Sequence, residues 1–224
     1  MTLIIAAIGE YEEEQKKKPF IIMGADDRIV ITSSSGVRSE SCGAEKLFKL
    51  SKYCGVLIAD DGVIGKTLIE RFKMQYKDKK LVWVSEIVEE FSKFSREMFK
   101  NSIGFPQIPS VIFIFAGFDK ENEELKPKIF VLWSGDGFLV RSSIKPYEIQ
   151  GQPWISLYKF EKEYEKAKFS IDKLSRLVCQ SIFDTHRINS GNVGKPTWYA
   201  RIDEEGFKSH EELGIEVKDL YDEW

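Results

Sequence analysis

Residues 2–8, Thr-Leu-Ile-Ile-Ala-Ala-Ile, form an almost unbroken apolar run at the start of the sequence. A half-exposed strand alternates apolar and polar residues, whereas a strand covered on both faces is apolar throughout. We therefore predict a buried strand here, so that the chain enters its core immediately. A layer of structure must then cover each face of the sheet that contains this strand.

Further strand-like segments follow in the first third of the sequence. Between the first two, residues 9–19 carry a Glu block, a Lys block and a closing Pro, which indicates a solvated hairpin tip or a disordered loop. Residues 33–41 are rich in Ser and Gly, so we predict a loop there. The predicted strands are residues 20–25, 28–32, 46–50 and 56–59, the last two forming a hairpin around residues 51–53.

Helical periodicity replaces the strand pattern after residue 62. Two amphipathic helices are predicted from apolar residues at helical spacing, namely Ile64, Leu68, Phe72 and Tyr76 in the first and Ile87, Phe91, Phe94 and Met98 in the second. Ser85 is the predicted N-cap of the second helix. Near the end of the sequence, residues 153–168 and 171–182 predict two more helices, the latter ending near residues 189–191.

The second half of the sequence contains a second group of strand-like segments. Residues 110–116 and 128–133 are apolar and are joined by a charged segment, residues 119–127, that we predict to be a turn. The remaining predicted strands are residues 138–141, 147–150, 197–202 and 214–217.

The order of these segments predicts the fold class. Clusters of strands alternate with clusters of helices, which is typical of an α+β protein. Strands that are apolar on both faces need a layer on each side, and two sheets packed together with helices outside meet that need. The sequence contains no Pro/Gly/Ser-rich linker, so we predict one domain over residues 1–224.

Charge and hydropathy disfavour several classes of function. Thirty-three Lys and Arg against 36 Asp and Glu give a net charge of -3, which provides no general positive field for nucleic acid. The apolar runs are far shorter than the ~20 residues that span a bilayer, and no basic export-signal segment follows Met1. Three scattered cysteines suit a reducing compartment. We expect a cytoplasmic protein that binds neither nucleic acid nor membrane.

Three candidate ligand motifs are weak. Residues 65–67, Gly-Lys-Thr, match the end of a phosphate-binding loop, but the glycine required five residues earlier is Asp60. The pairs Asp26-Asp27 and Asp60-Asp61 offer oxygens to a hard cation, yet acid pairs at strand ends more often serve turns and caps. Two histidines give little material for a metal site or a Ser-His-Asp triad. We expect no metal and no cofactor.

Thr2 is the more informative residue, because removal of Met1 would give it a hydroxyl and a free α-amine together. That amine has an ordinary pKa of roughly 7.7 to 8.0 and is a usable base at neutral pH. A buried Lys46 would favour the alkoxide-like form of the hydroxyl, and Asp26 would offset the desolvation of Lys46. On residue chemistry alone, Asp26 and Lys46 are also explained as a structural ion pair.

A series of motifs follows Thr2 in a fixed order. They are Ala25-Asp26-Asp27-Arg28, Lys46-Leu47-Phe48-Lys49-Leu50, Ala59-Asp60, Gln150-Gly151-Gln152 before a helix, and Ser190-Gly191 after a long helix. In this respect the sequence resembles the proteasome-type N-terminal nucleophile hydrolases, and the resemblance covers nearly its whole length. No helix-like segment precedes Thr2, which favours the β-type subunits and their bacterial relatives.

The resemblance implies a four-layer αββα sandwich and a set of roles. Thr2 would be the nucleophile with its own amine as proton acceptor and no propeptide to cleave, Lys46 would tune the hydroxyl, and Asp26 would orient Lys46. Ser190 would support the amine. If the loop before Ser190 carries a three-residue insertion, the resemblance implies Asp184 as a second support of the amine. It also implies that the loops of Asp60 and Gly151 are the oxyanion and substrate loops.

Three positions depart from the family pattern. Asp60 stands where the family has a glycine whose N–H serves the oxyanion, Gln152 stands in place of a serine, and Arg187 occupies the position of an aspartate in a gapless comparison. The family pattern implies a threonine-type peptidase acting on peptides or unfolded proteins, in a homo-oligomeric ring with a possible ATPase or regulatory partner. The departures keep two alternatives open: an inactive structural or peptide-binding subunit, and a ligase that transfers the acyl group to an amine.

Overall fold

The structure is a computed structural model that describes residues 2–32, 38–100 and 110–222. Within these residues the protein is α+β, with two five-stranded antiparallel sheets and five α-helices. The first sheet contains β1 (Leu3–Glu13), β2 (Lys16–Asp26), β10 (Tyr147–Gly151), β11 (Pro196–Asp203) and β12 (Gly206–Ser209). Its strand order is β10-β1-β2-β11-β12, so the strand opening the sequence is flanked on both sides.

The second sheet is formed by the middle of the chain. It contains β5 (Leu47–Ser51), β6 (Cys54–Asp60), β7 (Val111–Glu121), β8 (Glu124–Trp133) and β9 (Arg141–Ser142), in that spatial order. A separate ribbon pairs β3 (Ile29–Thr32) with β4 (Arg38–Ser41). The helices are α1 (Gly62–Gln75), α2 (Val84–Lys100), α3 (Pro153–Ala167), α4 (Ile171–Ile188) and the short α5 (His210–Leu213). Short 3-10 helices cover Ser134–Asp136 and Val217–Leu220.

Alternation along β1 explains why residues 2–8 are apolar throughout. Leu3 and Ile5 pack with α3 and α4, whereas Ile4 and Ala6 face the second sheet. Successive side chains of a strand point to opposite faces, so each face of β1 contributes to a different core. The predicted burial on both faces is confirmed.

Three hydrophobic cores separate the layers. One lies between the first sheet and α3 with α4, one between the two sheets, and one between the second sheet and α1 with α2. In the third core, Phe91 of α2 packs edge-on against Phe113 and Phe115 of β7. This arrangement is compatible with the predicted α+β sandwich.

The segment at residues 9–19 is a regular β-hairpin, so the alternative of a disordered loop is wrong. The β1–β2 ladder continues to the pair Glu13↔Lys16, and the turn residues Glu14 and Gln15 have φ of 50° and 65°. The Glu and Lys blocks face each other across this ladder, and opposite charges on facing strands favour the pairing. The segment at residues 119–127 behaves in the same way, because β7 and β8 continue to a two-residue turn at Asn122 and Glu123.

Four other local predictions are wrong, and one strand was missed. Ser85 lies inside α2, which begins at Val84, and its backbone N–H and hydroxyl both donate to Asp119 of β7, at 3.0 and 2.5 Å. Residues 214–217 are no strand, because Gly214 ends α5 with a φ of 64°. The strand predicted at residues 138–141 is wrong except at Arg141, where β9 begins, and Phe138 has a φ of 58°. The strand β12 was not predicted. The predicted loop at residues 33–41 includes β4, and residues 33–37 lie outside the described residues.

The inter-sheet core predicts a measurable stability difference. Ile114 of β7 is fully buried between the sheets, and Ile144 is fully exposed. We expect Ile114→Ala to lower the free energy of unfolding by about 2–5 kcal/mol, since it removes buried methylenes and leaves a cavity. The matched change Ile144→Ala should stay within about 0.5 kcal/mol of the parent. Urea unfolding measures both, and equal changes would contradict the packing of the sheets.

Candidate active site

Thr2, Asp26 and Lys46 lie together where the two sheets meet. Thr2 precedes β1, Asp26 ends the neighbouring strand β2, and Lys46 precedes β5 of the facing sheet. The pairing Ile4↔Ala25 brings the start of β1 to the end of β2. All three are buried, with exposed fractions of 2%, 0% and 3%. The three residues selected from their chemistry are therefore assembled by the fold.

The Asp26 carboxylate is the centre of the hydrogen-bond network. A buried carboxylate without donors would be strongly destabilising, and donors compensate for the hydration that it loses. Its donors are the backbone N–H groups of Leu3 (2.9 Å), Arg28 (3.1 Å) and Gly194 (2.8 Å), the Thr2 hydroxyl and the Lys46 ammonium (3.0 Å). Asp26 thus joins both sheets and the loop that follows α4.

The Lys46 ammonium donates to three oxygens, which matches its three N–H bonds. Its acceptors are Asp26 Oδ1, the Thr2 hydroxyl oxygen and the Arg28 carbonyl oxygen. Burial lowers the pKa of Lys46 from its ordinary value, and the nearby charge of Asp26 opposes this change. The ammonium therefore holds its proton less tightly than a surface lysine does.

The Thr2 hydroxyl accepts from Lys46 and donates to Asp26. A cation that donates to a hydroxyl oxygen favours the oxygen as it becomes negative, so this contact suits a nucleophile. If Met1 is removed, the α-amine of Thr2 adds a base on the same residue. The arrangement then contains a nucleophile, a base and a group that stabilises negative charge.

The predicted substrate loop at Gly151 touches Thr2 directly. Gly151 has a φ of 102°, and a Cβ added there would lie 1.9 Å from the Thr2 carbonyl oxygen. Only glycine allows both this conformation and this approach. The backbone N–H of Gln152 donates to the same oxygen at 3.0 Å.

Asp60 ends β6, two residues beyond Ile58, whose N–H donates to the Lys46 carbonyl at 2.9 Å. Asp60 has a φ of 67°, a left-handed conformation that glycine adopts more readily. Its exposed carboxylate accepts from the Ser110 hydroxyl at 2.7 Å. Asp61 is the N-cap of α1, accepting from the Ile64 N–H at 2.9 Å, so each acid of this pair has a local structural role.

The two predicted amine supports occupy different places. Ser190 is exposed in the loop after α4, and its carbonyl oxygen accepts from the Arg28 guanidinium. Asp184 lies on α4, where it forms an ion pair with Lys159 of α3 and accepts from Gln180 at 2.8 Å. The loop of Ser190 thus reaches the neighbourhood of Asp26, whereas the contacts of Asp184 are with α3 and α4.

Two contributors were not selected from the sequence. The Gly194 N–H reaches Asp26 from a polar loop in which no pattern marks it. The Asn189 side chain donates to Gln152 at 3.2 Å. The sequence predicted only that a helix ends near residues 189–191, and nothing in it indicated this contact.

Comparisons with known proteins add no relative: no family model matches the chain, and no curated protein matches it. Among the described residues, no helix is both long and apolar enough to cross a membrane. The interpretation of the site depends on the geometry of Thr2, Asp26 and Lys46.

Removing the charge of Asp26 should destabilise the fold. In Asp26→Asn, the new amide N–H groups would face existing donors and Lys46 would lose its counter-charge, so we expect a loss of about 3–5 kcal/mol in the free energy of unfolding. The control is Asp172→Asn, which removes an exposed pair with Arg176 and should change stability by less than about 0.5 kcal/mol. Equal urea midpoints for the two variants would contradict the central position of Asp26.

Proposed function

We propose that this protein is a threonine-type hydrolase of the N-terminal nucleophile class, which cleaves peptide bonds after Met1 has been removed. The observation that supports it most directly is the Thr2 hydroxyl held between the Lys46 ammonium and the Asp26 carboxylate. The αββα architecture of that class is the finer form of the fold that we propose. It is compatible with the three cores described above.

In the first step, the Thr2 hydroxyl turns its proton from Asp26 to the Thr2 α-amine, and its oxygen attacks the substrate carbonyl carbon as the α-amine takes the proton. The carbonyl oxygen becomes negative in the tetrahedral intermediate. The C–N bond then breaks, and the leaving amine takes the proton held by the α-amine. An ester between Thr2 and the acyl part of the substrate remains.

In the second step, the neutral α-amine accepts a proton from water as the water oxygen attacks the ester carbonyl. The ester C–O bond breaks, the proton returns to the Thr2 oxygen, and a carboxylic acid leaves. An amine in place of water would give ligation by the same steps, which is the alternative outcome at this stage.

Lys46 and Asp26 have different electrostatic roles in this reaction. Lys46 stabilises the negative charge that develops on the Thr2 oxygen, and Asp26 keeps the buried Lys46 charged. We propose that the backbone N–H of Asp60 donates to the negative oxygen of the tetrahedral intermediate. The Asp60 carboxylate accepts from the Ser110 hydroxyl.

We further propose that the protein forms a cytoplasmic homo-oligomeric ring that takes peptides or unfolded proteins. A native mass spectrum would test this assembly.

The nucleophile is tested by replacing Thr2. We expect protein lacking Met1 to form a covalent adduct on Thr2 with a peptide electrophile such as a β-lactone, and to cleave a fluorogenic peptide. Thr2→Ala should lose activity by roughly 10³-fold or more, because no hydroxyl remains. Thr2→Ser should retain both adduct and cleavage, and Thr67→Ala, on the exposed face of α1, is the control for loss of a threonine.

Four results of this experiment would count against hydrolysis. Full retention of Met1 on the purified protein would remove the base. Parent activity in Thr2→Ala would place the reaction elsewhere. An adduct without cleavage, but with a joined product when an amine acceptor is added, would identify a ligase, and no adduct at all would favour the inactive subunit.

The pH dependence follows from the two titrating groups. The amine must be neutral, so kcat/KM should rise through a pKa of about 7.7–8.0 if the amine is unperturbed. Lys46 must be charged, and because burial lowers its pKa, kcat/KM should fall again below the 10.5 of an ordinary lysine. Lys46→Arg should lower the rate but abolish the alkaline fall, since arginine stays charged. An alkaline fall that persists in this variant would assign it to another group.

A further inference from the structure

Gln152 faces Thr2 across the end of the first sheet. The pair Leu3↔Gly151 makes Gln152 the residue opposite Thr2, and the Gln152 N–H donates to the Thr2 carbonyl at 3.0 Å. This hydrogen bond brings the backbones of the two residues into contact just beyond the end of β10. The Gln152 amide is therefore within reach of the α-amine that removal of Met1 would create on Thr2.

The orientation of the Gln152 amide is fixed by the loop after α4. Asn189 donates from Nδ2 to Gln152 Oε1 at 3.2 Å, and its own Oδ1 accepts from Asn192 Nδ2 at 2.8 Å. The Asn189 amide thus links Gln152 to Asn192. Gln152 consequently presents its carbonyl end to Asn189, and an amide oxygen has two lone pairs, so it can accept from a second donor as well.

Asp184 is engaged elsewhere. It lies on α4 five residues before Asn189, and its two oxygens accept from Lys159 and Gln180. A carboxylate that is paired with a lysine of α3 has its charge compensated there. The amide of Gln152, and not Asp184, is the polar side chain placed opposite Thr2.

We propose that the amide pair Gln152–Asn189 positions the α-amine of Thr2, in the supporting role that the family resemblance implies for Asp184. This inference rests on the proposed function, because it concerns the base of that reaction. Gln152 and Asn189 act as positioning residues: Gln152 Oε1 accepts an N–H from the amine, and Asn189 holds Gln152 in place. The pair carries no charge, so it orients the amine without raising the amine pKa as a carboxylate would.

The test measures the pKa of the α-amine itself, independently of catalysis. Protein that begins at Thr2, verified by intact mass, is labelled with acetic anhydride over a range of pH, and acetylation of the N-terminal peptide is quantified by mass spectrometry. In Asn189→Asp, a nearly isosteric change, a carboxylate joins the pair, so the amine pKa should rise by about one unit or more. The acid limb of β-lactone labelling at Thr2 should move to higher pH by the same amount.

Three further variants make the test decisive. Gln152→Glu should raise the amine pKa in the same direction, and it serves if Asn189→Asp does not fold. Asp184→Asn should leave the amine pKa unchanged, as should Asp172→Asn, a surface control on the first turn of α4. A lower amine pKa in Asp184→Asn, or a parental value in both Asn189→Asp and Gln152→Glu, would overturn the proposal. Because acetylation needs no turnover, a shifted amine in a protein without peptidase activity would count against the proposed hydrolysis alone.

Discussion

The contact between Lys46 and Asp26 is the constraint on which the site depends. Both groups are withdrawn from water, and a buried ion pair is tolerated only when its geometry is good and its remaining donors and acceptors are satisfied. Here three backbone N–H groups point at the Asp26 carboxylate, and Lys46 donates to three oxygens. These donors come from three separate parts of the chain, so the pair can exist only where the two sheets and the loop after α4 meet.

The Lys46–Asp26 contact also orients Thr2. Its hydroxyl lies between the two charges, and its carbonyl oxygen accepts from the Gln152 N–H, so both ends of the residue are held. Gly151 permits this close approach because a Cβ would overlap the Thr2 carbonyl. Thr2 is thus oriented by groups of the first sheet, while the positive charge beside its hydroxyl comes from Lys46 at the edge of the second sheet.

Some parts of this structure could be predicted from the sequence and others could not. The buried strands were predicted from their unbroken apolar runs, and the long helices from apolar residues that recur every 3.6 residues. Residue chemistry and the family resemblance singled out Thr2, Asp26 and Lys46, but no spacing in the sequence brings them together. At both hairpins the strands were predicted too short, because the charged residues that continue the ladders to the turns at residues 14–15 and 122–123 have the composition of a loop. The position of Asp184 depends on the packing of α3 against α4, and no spacing in the sequence reports that Lys159 would face it.

The proposed reaction sets a requirement on the order in which two groups of the site lose their protons. The proposed reaction needs a neutral amine beside a charged lysine, so the amine must lose its proton at a lower pH than Lys46 does. Burial lowers the pKa of Lys46 and narrows this interval, and the charge of Asp26 acts to widen it again. A second carboxylate, placed beside the amine, would raise the amine pKa and so also narrow the interval between the two pKa values. Neutral amides at Gln152 and Asn189 avoid that effect, so a carboxylate at the lysine and uncharged amides opposite Thr2 together meet a single electrostatic requirement.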